Sequence, residues 1–177
     1  MKKKIIILGS TGSIGKTTIK IVLKNKFFFD VILLTANKNY IKLLSQAKIL
    51  KCRNIILFDK KNFLKAKIIN KDKNIKIFNS VKEFLKKQKN KADYTMCAIS
   101  GMSGLEPLID IIKITKNLAI ANKESIICGW NLIEKKIVKH NVKFIPIDSE
   151  HFSIQSLIKN NKNVEIDTIY ITASGGP

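Results

Sequence analysis

Arginine is almost absent from this chain of 177 residues: Arg53 is the only one among 33 basic residues. The formal net charge is nevertheless +20, because lysine is abundant and only 13 residues are acidic. Proteins that recognise nucleic acids rely on arginine for bidentate contacts to phosphates and bases. The lysines here are spread along the whole chain together with abundant isoleucine and asparagine, and these three residues share A/T-rich codons. Biased genomic composition therefore explains the charge better than nucleic-acid binding, which stays as a rival hypothesis.

Long apolar runs and paired cysteines are also missing. No apolar run approaches the roughly 20 residues that cross a bilayer. The apolar stretch after lysines 2–4 is too short for a signal peptide, so we expect a cytoplasmic protein with no membrane partner. Cys52, Cys97 and Cys128 form no CxxC pair, which argues against a zinc site or a redox pair. They are expected to be buried free thiols in a reducing compartment.

Short apolar runs alternate with helix-like stretches along the chain. Strands are predicted over 4–8, 31–36, 54–58, 75–78, 93–99, 117–120, 142–147 and 164–171. Helices are predicted over 14–26, 40–50, 80–89, 105–115, 123–139 and 149–158, with Gly129 as a candidate break, Ser80 and Glu83 as a capping box, and 60–74 as a loop or short helix. This alternation predicts the α/β class with a Rossmann-like, doubly wound parallel sheet.

Three glycines, Gly9, Gly12 and Gly15, lie between the first strand and the first helix. Glycine allows a tight turn and a close approach of the backbone to a pyrophosphate, whose charge is stabilised by the helix N-terminus. The spacing is GxxGxxG and not the commoner GxGxxG. A glycine-rich turn without a ligand is the alternative, but the strand–turn–helix–strand context favours a dinucleotide site.

The end of the second strand indicates which dinucleotide would bind. An NAD site usually has an acidic residue there, hydrogen bonded to the ribose 2′-hydroxyl. This chain has Asn37, Lys38 and Asn39 instead, and these side chains could hold a 2′-phosphate. A lysine without function in a lysine-rich chain is the alternative. The pattern favours NADP.

Three further segments contain polar residues after predicted strands. Asp148 and Glu150 could bind Mg²⁺ or Mn²⁺, whose preferred ligands are oxygens; equally, they could be a helix cap and a first-turn acid. In the segment 122–124 a lysine could contact an anionic substrate, or the segment could be an ordinary helix start. The segment 174–176 could bind a phosphate through a hydroxyl and backbone N–H groups, or be a simple glycine turn.

Four segments in this order, GSTGSIG at 9–15, ANKES at 121–125, PIDSEH at 146–151 and TASGGP at 172–177, resemble the 1-deoxy-D-xylulose 5-phosphate reductoisomerase family. The resemblance covers essentially the whole chain. It implies an NADP-dependent oxidoreductase that uses NADPH and Mg²⁺ or Mn²⁺ to rearrange and reduce this sugar phosphate to 2-C-methyl-D-erythritol 4-phosphate, on the methylerythritol phosphate route to isoprenoids. A catalytically dead nucleotide-binding module is the rival hypothesis.

The resemblance also implies roles for individual residues. The implied cofactor-binding residues are Thr11, Gly12, Ser13, Ile14, Asn37, Lys38, Asn39, Asn122 and Glu124. The implied catalytic residues are Lys123, Asp148 and Glu150, of which Asp148 and Glu150 are the metal ligands. The implied substrate-binding residues are Lys123, Ser149, Glu150 and Ser174.

The implied domain division is an NADPH-binding Rossmann-like domain over 1–147 and the incomplete start of an α/β catalytic domain over 148–177. Family members are roughly twice this long, as multi-domain chains are. We therefore expect a fragment that is inactive alone and that forms a homodimer in its full-length form. Two departures from the family pattern are Asn37, where glycine is common, and a run after His151 that is one residue short.

Overall fold

The computed structural model describes residues 1–88, 90–147, 149–160 and 165–170, and for residues 149, 150, 159 and 160 only the backbone. The chain divides into two compact units, Met1–Ile145 and Pro146–Pro177. The assignment of cofactor binding to the first part and of catalysis to the second stays a prediction.

A parallel sheet forms the centre of the fold. Its strands are β1 (Lys3–Leu8), β2 (Phe29–Ala36), β3 (Asn54–Leu57), β4 (Lys76–Phe78), β5 (Ala92–Cys97), β6 (Thr115–Ile120) and β7 (Lys143–Pro146). Among the described residues the strand order is β4-β3-β2-β1-β5-β6-β7, and β1 pairs in parallel with both β2 and β5. The chain winds outward from β1 first in one direction and then in the other, which is the predicted doubly wound topology.

Helices cover both faces of this sheet. They are α1 (Ser13–Lys24), α2 (Tyr40–Leu50), α3 (Lys60–Ile69), α4 (Val81–Leu85), α5 (Leu105–Ile111) and α6 (Lys123–His140), and the second unit contains α7 (Ser149–Asn160). Ile5 and Ile7 of β1 face a layer formed with α1, α2 and α3. Ile6 and Leu8 face a layer formed with α4, α5 and α6. A central strand of a parallel sheet is buried on both sides, which is why β1 is a continuous apolar run.

The predicted helix over 80–89 is wrong in length, because α4 ends at Leu85. Ser80 does cap it, accepting the Glu83 N–H at 3.2 Å. The Glu83 carboxylate accepts the backbone N–H of Asn79 at 2.9 Å and not that of Ser80, so the capping box differs from the expected one. Residues 86–88 are polar and carry no apolar side chain to bury, which explains the early end.

Gly129 does not break a helix: α6 is continuous from Lys123 to His140. A Cβ atom at position 129 would lie 2.5 Å from Cδ1 of Leu105. The glycine therefore allows the close packing of α6 on the start of α5, which is a tertiary reason that no local pattern shows. The segment left open between loop and helix, 60–74, contains the ten-residue α3.

Two further predictions need correction. The strand over 164–171 is not formed in its described part, since residues 165–170 have no regular secondary structure and are exposed. A strand is stabilised by hydrogen bonds to a neighbour, and the described residues offer none there. Cys52 and Cys97 are buried as expected, but Cys128 is exposed, because the buried stripe of α6 consists of Ser125, Gly129 and Ile133.

Candidate functional site

The candidate site lies at the carboxyl edge of the sheet, where the chain leaves β1 and β5 towards opposite faces. Leu8 and Cys97 are register partners at the ends of these strands, and the Ala98 N–H donates to the Leu8 carbonyl at 2.9 Å. Ile120 pairs with Cys97 on the other side. Three loops therefore start side by side at a topological switch point, the usual ligand position in open α/β sheets.

Two of the three glycines after β1 are required by the protein itself. Gly9 has φ +79°, in the left-handed region that favours glycine, and a Cβ there would lie 2.6 Å from the Ala98 carbonyl oxygen. A Cβ on Gly15 would overlap the Gly9 carbonyl oxygen, so Gly15 lets α1 pack directly against the turn. Both positions explain how the turn folds, and neither points to a ligand.

Gly12 is different, because neither its backbone nor its surroundings require a glycine. Its φ is −73°, which any residue adopts, and the nearest atom to a Cβ there would be the Gly9 carbonyl oxygen at an ordinary 3.5 Å. The missing side chain leaves open space beside the first turn of α1. This is where the backbone could approach a pyrophosphate closely.

The N-terminus of α1 has free hydrogen-bonding capacity. It has no side-chain cap and no acidic residue in its first turn. By contrast, side-chain caps are present on α2, α3, α4 and α6, from Asn39, Asp59, Ser80 and Asn122 respectively. The first N–H groups of a helix need an acceptor, and an anion is the acceptor that the helix dipole favours.

The segment after β2 presents polar side chains at the same edge. Asn37, Lys38 and Asn39 are exposed. The Asn39 side chain is partly used within the protein, since it accepts the Lys42 N–H at 3.1 Å. The pKa of Asp59 is lowered mainly by hydrogen bonds from Asn62 and to a smaller extent by the charge of Lys38. The charged end of Lys38 therefore lies close enough to Asp59, the cap of α3, to affect its pKa.

Two lysines that the sequence analysis did not single out come together here. Lys16 in α1 and Lys42 in α2 are in side-chain contact, which lowers the pKa of Lys42 ahead of the smaller effects of desolvation and of the Lys16 charge. Among the described residues neither ammonium has an acidic partner in an ion pair. Their approach depends on the packing of α1 beside α2, which sequence spacing does not show.

A cleft of about 200 Å³ lies between the first turn of α1, the loop after β5 and the start of α6. Its lining includes Ile14, Ser100, Lys123 and Glu124. Lys123 and Glu124 are exposed, so both are accessible to a ligand in the cleft. The fold thus brings together four predicted site residues, which are Ile14, Asn122, Lys123 and Glu124.

Asn122 has its side chain turned into the protein. Its amide nitrogen donates to the carbonyl oxygens of Ile99 and Gly101 at 2.7 and 2.6 Å and lies 2.9 Å from the Ser125 hydroxyl. Its amide oxygen accepts the Ser125 N–H at 3.1 Å. The side chain is 5% exposed and fixes the loop after β5 against the start of α6. Its predicted contact with a cofactor stays a prediction.

Thr11 is half-buried and Ser13 is exposed, both at the turn before α1 or its first residue. The predicted metal- and substrate-binding residues other than Lys123 belong to the second unit. Asp148 and Ser174 lie outside the described residues, and Ser149 and Glu150 are described only as the first backbone positions of α7. Within the described ranges no group of three or more histidine, cysteine or acidic side chains could hold a metal ion. Nor does any helix in those ranges combine the length and apolar character needed to cross a membrane. The metal and substrate assignments stay predictions.

Similarity to known proteins decides the family. The family model of 1-deoxy-D-xylulose 5-phosphate reductoisomerase matches residues 5–129, and the model of its C-terminal domain matches residues 144–177. The chain belongs to the 1-deoxy-D-xylulose 5-phosphate reductoisomerase family. The resemblance seen in the four motifs is therefore confirmed.

Relatives within the reductoisomerase family match nearly the whole chain but extend well beyond it. The reductoisomerase of Pelagibacter ubique is 53% identical, and the match covers 99% of this chain and 46% of the relative. That of the Wolbachia of Culex pipiens is 39% identical, with 99% and 45% covered. The chain thus spans less than half the length of these relatives.

Solved reductoisomerase structures show the same fold. The enzyme from Zymomonas mobilis in complex with NADPH superposes with a TM-score of 0.77 at 30% identity, over 85% of this chain and 40% of that one. A reductoisomerase complex with NADPH, fosmidomycin and magnesium gives a TM-score of 0.76 at 25% identity, over 90% and 42% of the two chains.

Proposed function

We propose that this chain forms the cofactor-binding part of an NADPH- and divalent-metal-dependent reductoisomerase that converts 1-deoxy-D-xylulose 5-phosphate to 2-C-methyl-D-erythritol 4-phosphate. The observation that carries the proposal is the open space at Gly12 beside the uncapped N-terminus of α1, in a chain of this family. The related structure from Zymomonas mobilis holds NADPH. We also propose a cytoplasmic protein whose full-length form is a homodimer.

The residues after β1 would hold the pyrophosphate. The backbone N–H groups of Thr11, Ser13 and Ile14 lie at or just before the start of α1, where an anion is stabilised by the helix dipole. The Gly12 N–H donates to the Gly9 carbonyl at 3.1 Å, so Gly12 would contribute through its missing side chain. Lys38, with Asn37 and Asn39, would hold the 2′-phosphate, and the positive charges of Lys16 and Lys42 add attraction in the same region. Bound NADPH would supply the hydride for reduction.

Lys123 and Glu124 would act at the cleft beside the start of α6. Lys123 is exposed there and would bind an anionic group of the substrate, while Glu124 would contact the cofactor. Asn122 would orient both by fixing the N-terminus of α6 to the loop after β5. We thus propose that Asn122 positions the start of α6 in addition to its predicted cofactor contact, and that Lys123 and Glu124 contact the ligands.

Asp148 and Glu150 would be the metal ligands, and Ser149 and Ser174 would bind substrate. Two carboxylates form an oxygen donor set that fits Mg²⁺ or Mn²⁺, and such an ion would polarise the keto group as a Lewis acid. In a full-length form, we expect Asp148→Asn or Glu150→Gln to abolish nearly all turnover while leaving NADPH affinity intact. Near-normal turnover in either variant would show that these residues only stabilise the start of α7.

The cofactor assignment can be tested on the chain itself by fluorescence titration with NADPH and NADH. We expect tighter binding of NADPH, and a smaller difference between the two cofactors in Lys38→Ala. Lys24→Ala is the matched control, because Lys24 is an exposed lysine at the opposite end of α1. Equal affinities of the wild-type chain for the two cofactors would refute the NADP assignment.

A further inference from the structure

Ser10, in the turn after β1, is joined to β2 and α2 by a buried hydrogen-bond network. Its N–H donates to the Thr35 carbonyl at 2.8 Å, and its hydroxyl lies 3.2 Å from that carbonyl and 2.8 Å from Oε1 of Gln46. Nε2 of Gln46 donates to the Ser10 carbonyl at 3.0 Å. The Thr35 hydroxyl accepts the Gly9 N–H at 2.9 Å. Ser10 and Thr35 are fully buried, and Gln46 is 7% exposed.

We propose that Gln46 is a positioning residue for the dinucleotide: it fixes the turn Gly9–Gly12 in the conformation that receives the pyrophosphate. This inference rests on the proposed cofactor-binding function. Gln46 is distant from the glycine motif in sequence, and its role arises from the packing of α2 beside the turn.

The peptide unit between Ser10 and Thr11 connects Gln46 to the proposed cofactor site. The described chain has no cis peptide bond, and in a trans peptide the C=O of one residue and the N–H of the next point in opposite directions. Because Gln46 draws the Ser10 carbonyl towards the interior, the Thr11 N–H points away from it. Gln46 thereby sets the orientation of the Thr11 N–H, a donor next to Gly12.

The turn needs such support because glycine does not select a conformation by itself. Gly9 has a positive φ, which glycine adopts about as readily as a negative φ, so the contacts around the turn must fix it. The amide of Gln46 supplies a donor and an acceptor to the same residue, Ser10. An apolar side chain of similar size at position 46 would make neither of these hydrogen bonds to the buried carbonyl and hydroxyl of Ser10. Because unpaired buried polar groups cost free energy, the turn would then be expected to change conformation.

Gln46 also links the two ends of the proposed cofactor site. It lies one helical turn after Lys42 and two turns after the cap Asn39 on the same side of α2. The start of α2 would therefore bind the 2′-phosphate, and Gln46 in the middle of the same helix would fix the turn that binds the pyrophosphate. A change at Gln46 is expected to move the turn while the start of α2 stays in place.

The test compares two ligands on the intact 177-residue chain by calorimetry: NADPH, which contains the pyrophosphate, and adenosine 2′-monophosphate, which lacks it. Gln46→Met should weaken NADPH binding by about tenfold, the loss of one well-placed hydrogen bond, and leave the nucleotide monophosphate nearly unchanged. Asn54→Leu is the control. Asn54 makes a comparable side-chain hydrogen bond to the Ile32 carbonyl at 3.0 Å, but it is the first residue of β3 and so lies at the other edge of the sheet from the candidate site. Asn54→Leu should destabilise the fold without changing either affinity.

If Gln46→Met does not fold, Gln46→Asn provides the same comparison, because it keeps the amide but is one methylene too short to reach Ser10. Unchanged NADPH binding in a folded Gln46 variant would overturn this inference but not the proposed function. An equal loss of affinity for both ligands would also overturn it, because that result would indicate a general disturbance of α2. A wild-type chain that binds no NADPH would overturn the proposed function and this inference with it.

Discussion

Single residues in the turn after β1 serve distinguishable purposes, although all three glycines belong to one motif. Gly9 is required by its backbone conformation and Gly15 by close packing, whereas Gly12 is required by neither. A match to the glycine motif alone does not distinguish these three roles. The distances from a Cβ placed at each glycine to its neighbours do distinguish them. Substitutions at the three positions should therefore affect stability and binding in different proportions.

The first prediction compares Gly12→Ala with Gly15→Ala. Gly15→Ala should destabilise the fold by about 1–3 kcal/mol or more, because its methyl group is forced into the Gly9–Ser10 backbone. Gly12→Ala should cost less than about 1 kcal/mol, the usual range for an N-cap exchange, yet weaken NADPH binding at least about tenfold. Urea denaturation and fluorescence titration measure the two effects. Wild-type NADPH affinity in Gly12→Ala would contradict the proposed pyrophosphate position.

The second prediction concerns the paired ammonium groups of Lys16 and Lys42. The lowered pKa of Lys42 means that this side chain loses its charge at a lower pH than an ordinary lysine. On raising the pH, NADPH affinity of the wild type should therefore fall earlier than loss of charge from an ordinary lysine would make it fall. It should depend less on pH in Lys42→Gln, which should also bind more weakly. Lys24→Gln serves as the control. Identical pH profiles of wild type and Lys42→Gln would show that Lys42 makes no contact with the cofactor.

At the scale of secondary structure, local patterns predicted the elements that local physics determines. The helical spacing of apolar residues gave α2 its exact bounds, and the continuous apolar run of β1 marked a strand buried on both faces. The patterns failed where tertiary contacts decide. α4 is short because the polar residues 86–88 that follow it carry no apolar side chain to bury. Within the part of the chain that the structure describes, 165–170 has no neighbouring strand.

The candidate site shows the same limit. Gly12, Lys38 and Lys123 could be selected from sequence because they follow strands in a recognisable order. Gln46 could not, because its partner Ser10 lies 36 residues away and an interior glutamine of a helix has no distinctive spacing. The contact between Lys16 and Lys42 likewise requires knowledge of which helices are neighbours.

The third prediction concerns Asp93, which links three central strands. Its carboxylate accepts the Lys4 N–H of β1 at 2.8 Å and the ammonium of Lys116 in β6 at 3.0 Å. These two bonds, the first more than the second, lower the pKa of Asp93. Asp93→Asn should lower the free energy of unfolding by about 1–2 kcal/mol at neutral pH, since hydrogen bonds to a charged group are lost.

The sign of the pH effect follows from this lowered pKa. The stabilisation is complete above the pKa that Asp93 has in the unfolded chain and is lost as pH falls through its lower pKa in the folded chain. Urea denaturation over an acid pH series should therefore show the wild type and Asp93→Asn converging. Glu106→Gln is the control, because the exposed pair Glu106–Lys82 is screened by solvent and contributes little. A constant difference at all pH values would exclude a role for the ionised carboxylate.

At the scale of the whole molecule, the fold supports binding more fully than turnover. The seven-stranded sheet of the described residues has an apolar layer on each face, while the chain covers 46% of the relative from Pelagibacter ubique. The fourth prediction is that the purified 177-residue chain binds NADPH but does not oxidise it in the presence of 1-deoxy-D-xylulose 5-phosphate and Mn²⁺. Measurable turnover would show that residues beyond those matched here are dispensable.

The fifth prediction concerns solubility. Ile166, Ile169 and Tyr170 are exposed in a segment without regular secondary structure, and exposed apolar side chains promote association. A chain shortened to about residue 150 should therefore elute as a sharper monomer peak in size-exclusion chromatography than the 177-residue chain, with its NADPH affinity retained. Equal aggregation of the shortened and the 177-residue chains would show that another surface causes the association.

The three cysteines differ in a way that makes the protein convenient to label. Burial raises the pKa of Cys52 to about 12 and also raises that of Cys97, so both thiols stay protonated and shielded from maleimides. Cys128 is exposed on α6, five residues after Lys123 at the cleft. In the native protein a maleimide dye should attach to Cys128 alone, where its fluorescence could report ligand binding near the start of α6. Slow modification of Cys52 and Cys97 would measure the rate at which the protein unfolds enough to expose them.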